Sequence, residues 1–527
     1  GREHVGLWVY PGQPHGFFNE SKSQACFVDT LLRMDAFLVS LGWLEGPADR
    51  SAVRGLLKTE PPRPNIVVVV CDDLGYGDVH CLNPDHGKIP TPHADRLAAE
   101  GMVFTDAHSG SSVCTPTRYG LLTGRHCWRT RLQRGVVTGF APCLIAADRP
   151  TVAGFLRDQG YRTAIVGKWH LNCQYADPDT GELLQRSRHR LPPVGARIPD
   201  GPVSRGFDTF HGFHHARDMR AVLDQDRVIA HDNEINMLPR LTDKAVAEIE
   251  TLAAGQRPFF LYVPLGSPHT PILPTSEWRG KSGLGDYGDF VMQTDHALGE
   301  IMTALARHDA ADNTLLIFTS DNGCSKAAGI DRLAARGHRV SGPYRGSKAD
   351  LWEGGHRVPL IARWPARVPA GSASDQTICL TDLFATVADL LVSNLPPGSA
   401  EDSASFLPTL SGWQHRAGRT GVIHQSISGH FGYREGRWKL LLARGSGGWS
   451  DPDERQAARQ KLPPTQLYDI QADPGERQNL AADKPEQVAE LLSRLERDLI
   501  RGRSTRGPAA KNDIAKIKLW KSGKPPE

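Results

Sequence analysis

The chain of 527 residues has no long apolar run. The longest uninterrupted one, residues 66–71, falls far short of the roughly 20 residues a membrane-crossing helix needs, so no membrane span is expected. Cysteine is sparse and odd in number, nine in all, which argues against a disulfide framework and leaves room for one or two bridges. Charge of one sign is also missing: 62 Lys and Arg against 59 Asp and Glu leave +3. That excess is too small to point to nucleic acid or an anionic membrane, so any cationic function must be local. The opening Gly-Arg-Glu-His lacks the charged and apolar order of a signal peptide, so the reading is a processed chain or a piece of a longer one. What is present is globular, with 39% hydrophobic and 23% charged residues and enough length for two or three domains.

Residues 1–50 read as a unit of their own. A short strand over 5–10 and a Pro/Gly turn lead to a helix over about 23–43, on which Phe27, Leu31, Met34, Leu38 and Leu41 draw one apolar stripe. Strand, His-bearing loop (H-G-F-F-N, with His15) and amphipathic helix in that order resemble the closing piece of an α/β-hydrolase esterase. No G-x-S-x-G nucleophile elbow occurs anywhere, so such a domain is incomplete here, and an upstream esterase module in a fusion is the expectation. The Pro-rich stretch within 51–64 reads as a linker.

From residue 65 a β-branched run at 66–70 has the look of a strand buried on both faces. Helices at 93–100, 241–253 and 289–307 alternate with strands at 164–166, 259–263 and 314–319, which argues an α/β domain over 65–398. A Pro/Gly/Ser/Asp-rich stretch at 395–405 marks a boundary. Beyond it, short strands at 422–425, 432–433, 438–442 and 466–469, a turn at 434–437 and a helix at 484–501 read as a smaller α+β domain over 399–503. A solvated basic tail is expected over 504–527.

The string C-D-D-L-G-Y-G-D places Asp72 and Asp73 at the end of the first apolar strand. Adjacent buried carboxylates are expensive unless they pair or bind a cation, and open α/β sheets hold ligands at strand carboxyl ends. L-L-I-F-T-S-D-N-G repeats the arrangement with Asp321 and Asn322. Three carboxylates and one amide carbonyl form an all-oxygen set, which suits Ca²⁺, with Mg²⁺ the alternative, and disfavours Zn²⁺.

Between them lies S-S-V-C-T-P-T-R-Y-G-L-L-T-G-R. Cys114, Pro116 and Arg118 stand in the C-x-P-x-R order of the type I sulfatases, and the L-L-T-G-R continuation resembles the rest of that signature. The resemblance extends through G-K-W-H-L (Lys168, His170), where Asn172 takes the place of a closing Gly, then S-P-H-T-P (His269) and the segment around Lys348. It runs on to Q-L-Y-D-I-Q-A-D-P-G-E-R-Q-N-L late in the chain. It implies an alkaline-phosphatase-like α/β core with a mixed, mostly parallel sheet, plus a smaller domain with an antiparallel sheet. It further implies Cys114 oxidised to formylglycine by a formylglycine-generating enzyme, the hydrated aldehyde as nucleophile, and a periplasmic or secreted location. Cys114 then also joins Asp72, Asp73, Asp321 and Asn322 around the metal.

Sulfate-ester chemistry makes the residue types intelligible. Arg118, Lys168 and Lys348 supply fixed cations around the sulfuryl oxygens. Asp321 orients or deprotonates the attacking hydroxyl, His269 with Lys348 protonates the leaving alcohol, and His170 is the base that removes the second hydroxyl proton to expel sulfate. The segment 205–220 adds His211, His214, His215, Arg217 and Arg220 as a sugar-recognition loop, and Trp352 and Trp413 are available for stacking. The expected activity is hydrolysis of sulfate monoesters, on a sulfated carbohydrate or an aryl sulfate. The rivals are a phosphodiester or phosphonate monoester hydrolase on the same scaffold and an inactive binder of sulfated glycans.

Overall fold

The computed structural model describes residues 19, 23–40, 49–57, 63–187, 191–412 and 419–521. The strand expected at 5–10, His15, Leu41 and Trp413 lie outside them.

The central sheet explains itself from β1 (Asn65–Asp72), whose residues after Asn65 are all buried. Ile66, Val68 and Val70 point into one core with the helices Cys114–Thr123, Val152–Asp158 and Leu383–Leu390. Val67, Val69 and Cys71 point into another with Pro92–Ala99, Met237–Ala253 and Asp286–Arg307. A strand covered on both faces needs apolar residues at every position, which is why the run is continuous rather than alternating.

The remaining strands follow as β2 (Met102–Phe104), β3 (Ala107–His108), β4 (Arg162–Lys168), β5 (Thr209–Phe213), β6 (Ala221–Asp224), β7 (Arg227–His231) and β8 (Phe259–Pro268). After these come β9 (Thr314–Ser320), β10 (Leu360–Arg363), β11 (Ser372–Ser374) and β12 (Ile378–Cys379). Ten of them form one sheet in the order β11-β2-β10-β9-β1-β8-β4-β5-β6-β7. The middle run β9-β1-β8-β4-β5 is parallel, and antiparallel pairs flank it. Five neighbouring strands therefore end on the same edge.

A second sheet, β13 (Val422–Gln425), β14 (Phe431–Glu435), β15 (Trp438–Leu441) and β16 (Gln466–Asp469), is an antiparallel meander covered by the helix Pro485–Ile500. The expected fold class is the one observed. Details differ where propensity gave way to packing. The hairpin turn is Gly436 and Arg437, because Arg434 and Glu435 still pair with β15. The chain stays in the first core through Ala400, Phe406, Leu407 and Leu410, past the boundary expected at 399. Over its described part, 504–521, the tail is not a solvated extension. Arg125 and Arg129 hold Asp513 and Asn512, and Ile517, Leu519 and Trp520 pack on the core between the four-stranded sheet and its helix. Near the N-terminus, the helix Gln24–Ser40 buries Cys26 and Val28 and leaves Met34 55% exposed, so its buried face differs from the stripe read in the sequence. All nine cysteines are free.

Candidate active site

The carboxyl edge of the parallel strands assembles the site. β9 delivers Asp321 and Asn322, β1 delivers Asp72 and Asp73, β8 runs into His269, and β4 into Lys168 and His170. Cys114 enters from a separate element as the first residue of the helix Cys114–Thr123, all ten residues of which are buried.

Cys114 Sγ lies 3.4 Å from Asp72 Oδ1 and 3.5 Å from Lys348 Nζ. Lys348 Nζ is 2.6 Å from Asp73 Oδ1, and Asn322 Nδ2 donates to the same oxygen at 2.8 Å. Lys168 Nζ pairs with Asp72 Oδ2 at 2.5 Å. Arg118 reaches Asp321 at 2.7 Å and Asp72 at 3.6 Å, while Asp321 also accepts the backbone N–H of Asp73. His269 Nε2 stands 3.7 Å from Asp73. Ligand atoms of Asp72, Asp73, Cys114 and His269 fall within 4.8 Å of one another.

Charge balance sets the protonation states. For Asp72 burial opposes ionisation, yet Lys168, His269 and Arg118 hold it well below the usual carboxylate range. Burial and the charge of Asp72 push Asp321 up to about 7, despite Arg118. Burial likewise raises the Cys114 thiol, with Asp321 adding to it, so the unmodified side chain is a poor nucleophile. Burial and then Lys168 lower His170, and burial lowers His269 against the pull of Asp73. A divalent cation fits this donor set. Asn322 Oδ1 is buried with no hydrogen-bond partner among the described residues, and it stands beside Asp72 and Asp73, so hard oxygen donors converge on one point of the sheet edge.

His170 and Asn172 both take positive φ, 53° and 63°. The turn is secured because His170 N–H donates to His214 O at 2.8 Å, Asn172 N–H to His214 Nε2 at 3.1 Å, and Asn172 Oδ1 accepts Gly139 N–H at 2.9 Å. Asn therefore holds the conformation that Gly would reach freely. His170 Nε2 faces Val137 O at 3.1 Å, so its proton sits there and Nδ1 is left bare and buried.

The recognition loop separates. His215 meets His170 edge to face, ring centroids 4.5 Å apart, and its Nδ1 accepts Arg217 N–H, which leaves Nε2 as the donor. The Arg217 and Arg220 side chains are exposed. His214 serves the Asn172 turn and Asp218, and His211 binds Asp224 on the neighbouring strand, away from the cluster.

The sequence reading missed the support beneath Asp72 and Asp73. Asp78 accepts from Gly75 N–H at 2.7 Å and from Tyr287 Oη at 2.5 Å, and pairs with His338 at 2.8 Å. Asp78 stands in the same acidic string, and its burial was the missing signal. A second cluster, His108, His356 and His424, also brings ring nitrogens together. His356 and His424 stack face to face at 3.6 Å and 14°, so their ring planes, in which imidazole lone pairs aim, run nearly parallel and do not converge on a shared ion beside the rings. Lys439 and Arg434 approach the same rings at 3.0 and 2.9 Å. This is a polar stack joining the second sheet to the core, not a cation site.

The sulfatase family model matches residues 64–393. An N-acetylgalactosamine-6-O-sulfatase of Bacteroides thetaiotaomicron is 33% identical over 82% of this chain and 93% of its own, and human arylsulfatase A is 31% identical over 84% and 87%. A solved structure from the glycosaminoglycan metabolism of B. thetaiotaomicron superposes with a TM-score of 0.70 at 30% identity, over 82% of this chain and 99% of that one. A phosphonate monoester hydrolase from Silicibacter pomeroyi shares the fold alone, at TM-score 0.58 and 18% identity, over 84% and 96%. A buried cysteine between two oxygen-donor pairs, with Arg118, Lys168 and Lys348 beside it, thus sits in a matched sequence and a matched fold, and the chain belongs to the sulfatase family, enzymes that hydrolyse sulfate esters.

Proposed function

We propose that this enzyme removes sulfate from a sulfated carbohydrate, with 6-sulfated N-acetylgalactosamine as the first substrate to test, because relatives bearing that name match at 31–33% identity. The observation that carries the site assignment is the convergence of Cys114 Sγ, Lys348 Nζ and the Asp72–Asp73 pair within 3.5 Å contacts. Cys114 is read as the residue that a formylglycine-generating enzyme oxidises, and its hydrated aldehyde supplies the attacking hydroxyl together with a second hydroxyl through which sulfate is released. Asp72, Asp73, Asp321 and Asn322 would hold a divalent ion, Ca²⁺ by the hardness of the donors and Mg²⁺ as the alternative, which when bound polarises the sulfuryl group.

The chain's own residues do the rest. Arg118, Lys168 and Lys348 hold charge in place around the sulfuryl oxygens before reaction begins, at no cost in reorganisation. Asp321 is read as the carboxylate that orients the attacking hydroxyl or takes its proton. Lys348 and His269 face the same carboxylate of Asp73 and are placed to protonate the leaving alcohol. His170, neutral with Nδ1 bare, is the base for the second hydroxyl. In the recognition loop, His215 Nε2–H and the Arg217 guanidinium are the groups offered to the sugar.

Periplasmic or secreted location, and an esterase module encoded upstream of Gly1, belong to the same proposal. The test is protein co-produced with a formylglycine-generating enzyme, assayed on an aryl sulfate, the matching phosphate monoester and diester, and N-acetylgalactosamine 6- and 4-sulfates, with Cys114→Ala as control. Sulfate preference lost in the control supports the reading; phosphodiester preference moves the enzyme to the rival chemistry.

A further inference from the structure

Of the tryptophans singled out in the sequence, Trp352 is buried, with the Arg345 guanidinium over its ring at 3.5 Å. Among the described residues the one exposed aromatic side chain is Trp449, at 43%. Isolated exposed apolar side chains are ordinary. The way Trp449 is held is not.

Asp350 lies two residues beyond Lys348, a stretch spanning at most about 7 Å. Its buried carboxylate accepts three backbone N–H groups, from Ser347 at 2.9 Å, Trp449 at 2.8 Å and Ser450 at 3.0 Å. The carbonyl of Trp449 accepts from Lys326 Nζ, on the loop that follows Asn322. Leu351 N–H donates to Ser446 O at 2.8 Å. Gly448 lies so close to the Lys348 turn that a Cβ there would meet Ala349 O at 2.3 Å. The segment 446–450 is therefore laid flush on the turn that carries Lys348 to Cys114, and both backbone polar groups of Trp449 are tied to loops bearing site residues. The exposed part of Trp449, by contrast, is left to meet a ligand.

We propose that Trp449 is a stacking platform for a sugar ring adjoining the sulfated one, so that the enzyme acts on oligosaccharides better than on sulfated monosaccharides. This rests on the carbohydrate reading above. An indole presents a flat apolar face to the C–H face of a pyranose while leaving the hydroxyls in water. A platform whose backbone is already fixed loses little further freedom on binding, which is what turns one aromatic contact into affinity.

The experiment compares wild type, Trp449→Ala and Trp449→Phe on a 6-sulfated N-acetylgalactosamine-containing oligosaccharide, on the sulfated monosaccharide and on 4-nitrophenyl sulfate. For Trp449→Ala the expected loss of kcat/KM on the oligosaccharide exceeds any loss on the aryl sulfate by about tenfold, carried by KM, with Trp449→Phe recovering most of it. Measuring both substrates on one preparation cancels any loss of folded protein. Equal losses on both substrates, no loss, or a wild type that prefers the monosaccharide overturns the platform. A wild type that turns over the aryl sulfate and no sulfated sugar overturns the carbohydrate reading itself, and the platform with it.

Discussion

Lys348 Nζ bridges Cys114 Sγ at 3.5 Å and the Asp73 carboxylate at 2.6 Å, so one ammonium touches both the proposed nucleophile and a proposed cation ligand. Burial works against its charge, but Asp73, Cys114 and Asp72 more than offset that and keep it protonated. Removing it takes away a fixed cation and, on the proposed mechanism, a proton donor with it. Lys348→Ala is expected to lower kcat on an aryl sulfate by roughly 10²- to 10⁴-fold. If proton donation is part of its role, the loss shrinks as the leaving phenol becomes more acidic. A series of aryl sulfates with graded leaving groups reads that slope, and a loss independent of the leaving group confines Lys348 to charge stabilisation.

The cradle makes a separate prediction. Asn322 offers a buried Oδ1 without a partner among the described residues while its Nδ2 holds Asp73. Asn322→Ala is expected to raise the calcium concentration needed for half-maximal activity by at least about tenfold, by analogy with the loss seen when metal-site supports are removed. Calorimetric titration of the chelated protein with Ca²⁺ and Mg²⁺ checks both the shift and the identity of the ion. An unchanged titration removes Asn322 from the ligand set.

Much of this centre is legible in the sequence because its chemistry sits at strand ends. Asp72, Asp73, Asp321 and Asn322 follow apolar runs of a kind that only a doubly covered strand requires, and the Cys114 string is long enough to be specific. Helix cores at Met237–Ala253 and Asp286–Arg307 are likewise readable from their period, although each begins earlier than the pattern suggests. What sequence does not show is which polar residues are buried against partners hundreds of positions away. Asp78 with His338, and Lys439 with Glu353 and Glu476, read one at a time as surface charges. Nor could pattern separate His215, beside His170, from His211, turned to Asp224, since they sit four residues apart in one loop-like segment.

The Lys439 cluster tests that hidden layer. Lys439 is fully buried in β15 and holds Glu353 at 2.9 Å and Glu476 at 2.8 Å. Burial pushes Glu476 up to about 7 even with the ammonium beside it. Lys439→Met leaves two buried carboxylates without their shared cation, which costs about 3–5 kcal/mol. Denaturant unfolding followed by circular dichroism measures the loss. A cost under about 1 kcal/mol would mean that Arg357 and Arg434, 2.7 and 3.8 Å from Glu353, suffice for that carboxylate and that Glu476 is held protonated.

His126 supplies a pH dependence of stability. Its ring is buried, stacks on Trp128 at 5.3 Å and carries an Nε2 with no partner among the described residues. Burial lowers its pKa to about 4, against the pull of Asp402. The unfolded chain takes up this proton near pH 6.5 and the folded one only near pH 4, so between those values the unfolded state binds more protons. Stability therefore falls as pH drops from about 6.5 to about 4, by about 3 kcal/mol from this group, and the contribution is flat above neutrality. His126→Phe keeps an aromatic ring on Trp128 and removes the titration. Other groups titrate over the same range in both proteins, so the quantity to measure is the difference in unfolding free energy between variant and wild type at pH 7.5, 6, 5 and 4. That difference is expected to move in favour of the variant as pH falls; a difference independent of pH would show that the imidazole is already reached by solvent protons in the folded state.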